Sequence, residues 1–134
     1  MTKPSAQRHC ILVAEDNADV GDLITKVLNR AGYDVDAAKD GALAWDMLQI
    51  KNYDLLITDD HMPKLTGIEL VKKAQAARMA LPVILMSGSL PLEMLKEHSG
   101  LQVNATLPKP YDLMELLNTV KEVLRATVSA SEQN

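Results

Sequence analysis

Asp59 and Asp60 stand side by side after the apolar run Leu55-Leu56-Ile57-Thr58, and His61, Met62 and Pro63 follow them. A second acidic pair, Glu15-Asp16, follows Cys10 to Ala14; Ser87 follows Val83 to Met86; Lys109-Pro110 comes just after Val103 to Leu107. Brought together, these acids need a cation between them, because two carboxylates about 4 Å apart repel by roughly 4 kcal/mol at an effective dielectric of about 20. An all-oxygen site with positions left for water suits Mg2+, which takes phosphate oxygens as its remaining ligands. Carboxylate, divalent cation, hydroxyl and lysine are the parts that phosphoryl transfer uses. An aspartate can attack phosphorus while the metal and an ammonium neutralise charge on the transferred group.

That chemistry needs a scaffold that gathers the ends of four separate apolar runs. Short aliphatic runs alternate with longer amphipathic ones, the pattern of a parallel sheet flanked by helices. Strands are expected at Cys10 to Ala14, about Tyr33 to Ala37, Asp54 to Thr58, Val83 to Met86 and Val103 to Leu107. Asn17 or Asp16 caps a first helix, with Val20, Leu23, Ile24, Val27, Leu28 and Ala31 at three-and-four spacing and Gly32 as its stop. Asp40-Gly41 opens a second helix, and Thr66 to Glu69 matches a capping box that starts a third, running to about Arg78. Pro91 to His98 forms a short fourth helix, and Asp112 to about Ala126 a fifth. In such α/β sheets ligands bind beyond the carboxyl ends of the strands, where the strand order reverses.

Five elements in order, Glu15-Asp16, Asp59-Asp60-His61-Met62-Pro63, Gly67, Ser87 and Lys109-Pro110, resemble the receiver domain of two-component response regulators across roughly Arg8 to Ala126. The resemblance implies a doubly wound α/β fold: a flavodoxin-like five-stranded parallel sheet of order 2-1-3-4-5, flanked by five helices. It implies one domain at 8–126, with flexible termini at 1–7 and 127–134. The family pattern D-x-x-M-P falls on Asp59, which becomes the phosphoacceptor. Strand alternation agrees, since only one of two neighbouring side chains can face the acid pair, which leaves Asp60 as a solvated bystander. By the same resemblance Glu15, Asp16, Asp59 and the backbone carbonyl of His61 hold Mg2+. Ser87 supplies the switch hydroxyl, Lys109 contacts the phosphate, and the bond before Pro110 is often cis in the family. Many receivers carry an aromatic residue three positions before the lysine; Thr106 stands there, so Tyr111 or the short fourth helix is left to serve the output surface.

Composition bounds the rest. At 134 residues, 47% hydrophobic and 24% charged, the chain suits one globular domain, and with no Phe its core is aliphatic. A net charge of −4 without a basic patch argues against direct nucleic-acid binding, and the polar N-terminus against membrane insertion. The lone Cys10 fits a reducing, cytoplasmic setting. The expected function is a stand-alone switch rather than a dedicated enzyme, with limited self-phosphorylation and autodephosphorylation. A sensor histidine kinase or phosphotransfer protein phosphorylates it, and an unidentified downstream protein reads it. The alternatives are a phosphorylation-independent scaffold and an aspartyl-phosphate phosphatase; the latter usually shows D-x-D, where this chain has His61 two residues after Asp59.

Overall fold

Uninterrupted aliphatic runs form the centre of the sheet because both of their faces can be covered by helices. In the computed structural model, which describes residues 8–88 and 100–133, five runs become parallel strands: β1 (Cys10–Ala14), β2 (Asp34–Ala38), β3 (Leu55–Asp59), β4 (Val83–Ser87) and β5 (Ala105–Pro108). Their order is β2-β1-β3-β4-β5. Four helices accompany them among the described residues: α1 (Ala18–Arg30), α2 (Gly41–Ile50), α3 (Gly67–Ala76) and α4 (Leu113–Gln133). The expected short helix at Pro91 to His98 lies outside the described residues.

Alternation along the strands builds two cores. Ile11, Val13, Leu55, Ile57, Ile84 and Met86 face Ile24 and Leu28 of α1 and Leu116, Val120, Val123 and Leu124 of α4. Leu12, Ala14, Leu56 and Val83 face Ala44 and Leu48 of α2 and Leu70, Val71 and Ala74 of α3. After β1 the chain therefore crosses to the α1–α4 side, and after β3 to the α2–α3 side. Their divergence opens a crevice at the carboxyl ends of β1 and β3. Leu116 fastens α4 to the first of these cores and is fully buried. Leu116→Ala is expected to cost about 3–5 kcal/mol in urea unfolding, a large share of the roughly 5–15 kcal/mol typical of a domain. A loss below about 1 kcal/mol would show that α4 is not seated as described.

Element ends differ from the sequence pattern where a side chain or a helix end claims the backbone group. Tyr33 N–H still bonds Leu28 C=O at the end of α1, so β2 starts at Asp34, paired with Cys10. The Asp54 carboxylate accepts the Cys10 N–H at 2.7 Å in place of a ladder carbonyl, and β3 begins one residue later. Asn104 does the same for Val83, its side-chain oxygen accepting the Val83 N–H at 2.9 Å, which delays β5. Helix α3 stops at Ala76 rather than near Arg78, which has a φ of 58°. Helix α4 runs past Ala126 to Gln133, over a stretch without Gly or Pro to break it.

Candidate functional site

Each chemically useful side chain is carried by the end of a strand. Asn17 takes the cap of α1, accepting the Val20 N–H at 3.2 Å, and so leaves Asp16 exposed beside Glu15. The Glu15 carboxylate accepts the Asn17 N–H at 3.0 Å, which turns this buried acid toward the crevice. Asp59 closes β3, on the same side of the sheet as Ile57 and Leu55, and is buried. Carboxylate oxygens of Glu15, Asp16 and Asp59 all lie within 4.8 Å of one another. Lys109, from the end of β5, donates from Nζ to Asp59 Oδ1 at 2.8 Å. The Lys109 N–H also bonds Ser87 C=O at 2.8 Å, and the Lys109–Pro110 peptide is cis.

The charges are unbalanced. Burial raises the Glu15 pKa above the ordinary carboxylate value; the Asn17 N–H opposes this, and the charge of Asp59 adds to it. Burial also raises Asp59. The Lys109 hydrogen bond pulls it back, and the neighbouring Asp60 carboxyl pushes it up again. For Lys109, burial alone would lower the pKa, but the hydrogen bond to Asp59 and the charges of Asp59, Glu15 and Asp60 outweigh it, and the net shift is upward. The asymmetry has a simple cause: one ammonium serves several carboxylates, so the ammonium is over-supplied with partners and the acids are under-supplied. Three clustered carboxylates short of positive charge, offering only oxygen, fit a hard divalent cation such as Mg2+.

The fold gives Gly67 its physical reason and adds a groove that the sequence pattern does not mark. Gly67 begins α3, and a Cβ there would stand 2.0 Å from the Asp59 carbonyl oxygen, so only glycine lets α3 dock on the end of β3. Its N–H bonds Asp60 C=O at 3.1 Å. Gly67→Ala is expected to destabilise by about 1–3 kcal/mol, because the atom it would strike is backbone and cannot swing aside. Thermal unfolding would check this, and an unchanged midpoint would refute it. A groove of about 1020 Å³ opens beside the acids, lined by Val20, Leu23, Ile24, Tyr111, Leu113 and Met114. The periodicity of α1 assigns Leu23 to the core, but it is 50% exposed here, and Met114 is 64% exposed.

One expectation here needs correction. Asp60 is not a solvated bystander: it is 3% exposed and accepts the Ser87 hydroxyl at 2.7 Å. Its carboxyl is closed off from water between Asp59 and Ser87. The Ser87 hydroxyl accordingly points to Asp60 here. Tyr111 packs, partly buried, on the α1–α4 core, whereas Thr106 alternates with Ala105 and Leu107 and faces the other way. The His61 side chain is 84% exposed, with Nε2 3.6 Å from Asp60 Oδ2, while its backbone N–H helps hold the Asp59 carboxylate.

Comparison with known proteins agrees with this arrangement. The chain is 33% identical over 116 residues to the response regulator receiver protein CpdR of Brucella abortus, covering 87% of this chain and 97% of that protein. Other relatives are longer: the matched region spans 24% of the DNA-binding transcriptional regulator NtrC of Rhizobium meliloti, at 34% identity over 85% of this chain. Among solved structures, the receiver domain of the Francisella response regulator 1452 superposes with a TM-score of 0.83 at 29% identity, covering 90% of this chain and 99% of that one. The response regulator TrrA of Thermotoga maritima, solved in complex with Mg(2+)-BeF, gives a TM-score of 0.76 at 26% identity, covering 86% and 98%. A family model, the response regulator receiver domain, matches residues 11–121, and the chain belongs to that family of two-component signalling proteins.

Proposed function

We propose that this receiver accepts a phosphoryl group on Asp59, from a histidine kinase or phosphotransfer protein, and passes the signal on through protein–protein contact. The observation that carries the reading is the Lys109 ammonium on Asp59 Oδ1, at 2.8 Å, inside a cluster of three carboxylates. Receiver TrrA in complex with Mg(2+)-BeF supports the ligand class. Glu15, Asp16, Asp59 and the His61 carbonyl would hold Mg2+, which when bound offsets the negative charge of the acids and of the incoming phosphoryl group.

The steps then fall to the chain's own groups. A carboxylate oxygen of Asp59 forms the new bond to phosphorus as the phosphorus–nitrogen bond to the donor histidine breaks, and the donor nitrogen keeps the electron pair. Lys109, already beside Asp59, follows the transferred group and pairs with one of its oxygens. Ser87, at the end of β4 next to β3, would turn its hydroxyl to a second oxygen. The groove lined by Val20, Leu23 and Met114 lies on the approach to Asp59 and gives a phosphodonor protein an apolar seat. Self-phosphorylation from small donors and autodephosphorylation are the extent of catalysis in this reading. Among the described residues no helix is long and apolar enough to cross a membrane.

The test is incubation of the purified chain with Mg2+ and acetyl phosphate, followed by intact mass measurement and by borohydride reduction with peptide mapping. One phosphoryl group per chain is expected, dependent on Mg2+ and mapped to position 59. Mapping to position 60, or uptake undiminished by EDTA, would overturn the proposal.

A further inference from the structure

The hydrogen bond from Ser87 Oγ to Asp60 Oδ2 joins a hydroxyl assigned to the phosphorylated state with a carboxylate that phosphorylation chemistry does not employ. We infer that Asp60 is a positioning residue, a latch that occupies the Ser87 hydroxyl until a transferred phosphoryl group competes for it. The inference rests on the reading of Asp59 as phosphoacceptor and deepens it by naming what regulates the switch hydroxyl.

Geometry supports the latch at three points. The bond is short, 2.7 Å, and its partners are 1% and 3% exposed, so water does not readily replace either of them. The Asp60 carboxyl stands beside that of Asp59, close enough to raise its pKa, so the bond that occupies Ser87 lies at the edge of the phosphorylation site. A hydroxyl has a single proton to donate, so Ser87 cannot serve Asp60 and a phosphoryl oxygen at the same time. Its departure leaves a buried carboxylate with one donor fewer, and that loss opposes the switch. Asp60 is also held at its backbone, its N–H on Met86 C=O and its C=O on Gly67 N–H, so it cannot follow the serine. The resting arrangement is therefore favoured by a bond that the phosphorylated arrangement must give up. Thr106 brings no ring whose burial could supply a further difference between the two states.

The prediction is a gain rather than a loss. Beryllofluoride with Mg2+ serves as the phosphoryl mimic, and its affinity is read by isothermal titration calorimetry. Asp60→Ala is expected to tighten beryllofluoride binding roughly tenfold, equivalent to about 1.4 kcal/mol. In a Ser87→Ala background the same substitution should change affinity by less than about twofold, because the bond it removes is already gone. Asp60→Val, which fills more of the space without an acceptor, repeats both measurements if the alanine variant fails to fold. Equal tightening in both backgrounds would mean that Asp60 acts by charge repulsion, and no tightening would mean that the serine is not restrained; either result overturns the latch. Absence of beryllofluoride binding by the folded wild type would instead remove the phosphoacceptor reading, and the latch with it.

Discussion

Asp59→Asn is expected to take up no phosphoryl group from acetyl phosphate in Mg2+, a fall of about 10³-fold or more, while Asp60→Asn remains a substrate. The two acids differ in what surrounds them. Asp59 lies against Glu15, Asp16 and the Lys109 ammonium, whereas Asp60 stands outside that acid cluster, buried and hydrogen-bonded to Ser87. A one-residue slip cannot bring Asp60 into the first position, because alternation would turn every neighbouring core residue of β3 to the wrong face. Intact mass spectrometry of the two variants decides the matter. Phosphorylation of Asp59→Asn at the wild-type rate, or its loss in a folded Asp60→Asn, would remove the central assignment.

Lys109→Ala should slow phosphorylation of Asp59 by roughly 10²–10³-fold, the usual effect of losing one pre-positioned donor aimed at developing negative charge. The resting bond from Nζ to Oδ1, at 2.8 Å, already places the ammonium where the phosphoryl oxygens must arrive. Asp59, Glu15 and Asp60 together raise the Lys109 pKa, so the group stays charged throughout the neutral range. Lys109→Arg is expected to recover little of the rate, since a planar guanidinium cannot occupy the place of a compact ammonium against the Asp59 carboxylate. Initial rates with acetyl phosphate at fixed Mg2+ provide the measurement. A rate for Lys109→Ala within threefold of wild type would show that Lys109 is a structural partner of Asp59 and no more.

Most of the scaffold was legible because its signals are local. The runs at β1, β3 and β4 have almost no polar interruption, and these strands are buried through nearly their whole length. The capping box of Thr66 and Glu69 is read from four consecutive residues and forms as read. The edge strands were harder. In β2 only Ala38 is buried, and in β5 only Leu107, so hydrophobicity marks them weakly and their ends depend on Asp54, Asn104 and the last turn of α1. The length of α4 was also missed, since periodicity fades before the helix itself ends.

The sequence by itself determined which residues can meet. Chemically competent side chains placed just after aliphatic runs must converge once those runs pair in parallel, and strand alternation then separates Asp59 from Asp60. Only the tertiary structure decided what each of them meets. Lys109 reaches Asp59 across 50 residues of chain and Ser87 reaches Asp60 across 27, and no local pattern encodes either bond. Alternation tells which face a side chain takes; whether that face is water, helix or another strand end depends on how the layers pack. For that reason Asp60, expected in solvent, lies buried against the serine it is proposed to restrain, and Leu23, expected in the core, stands half exposed at the rim of the groove.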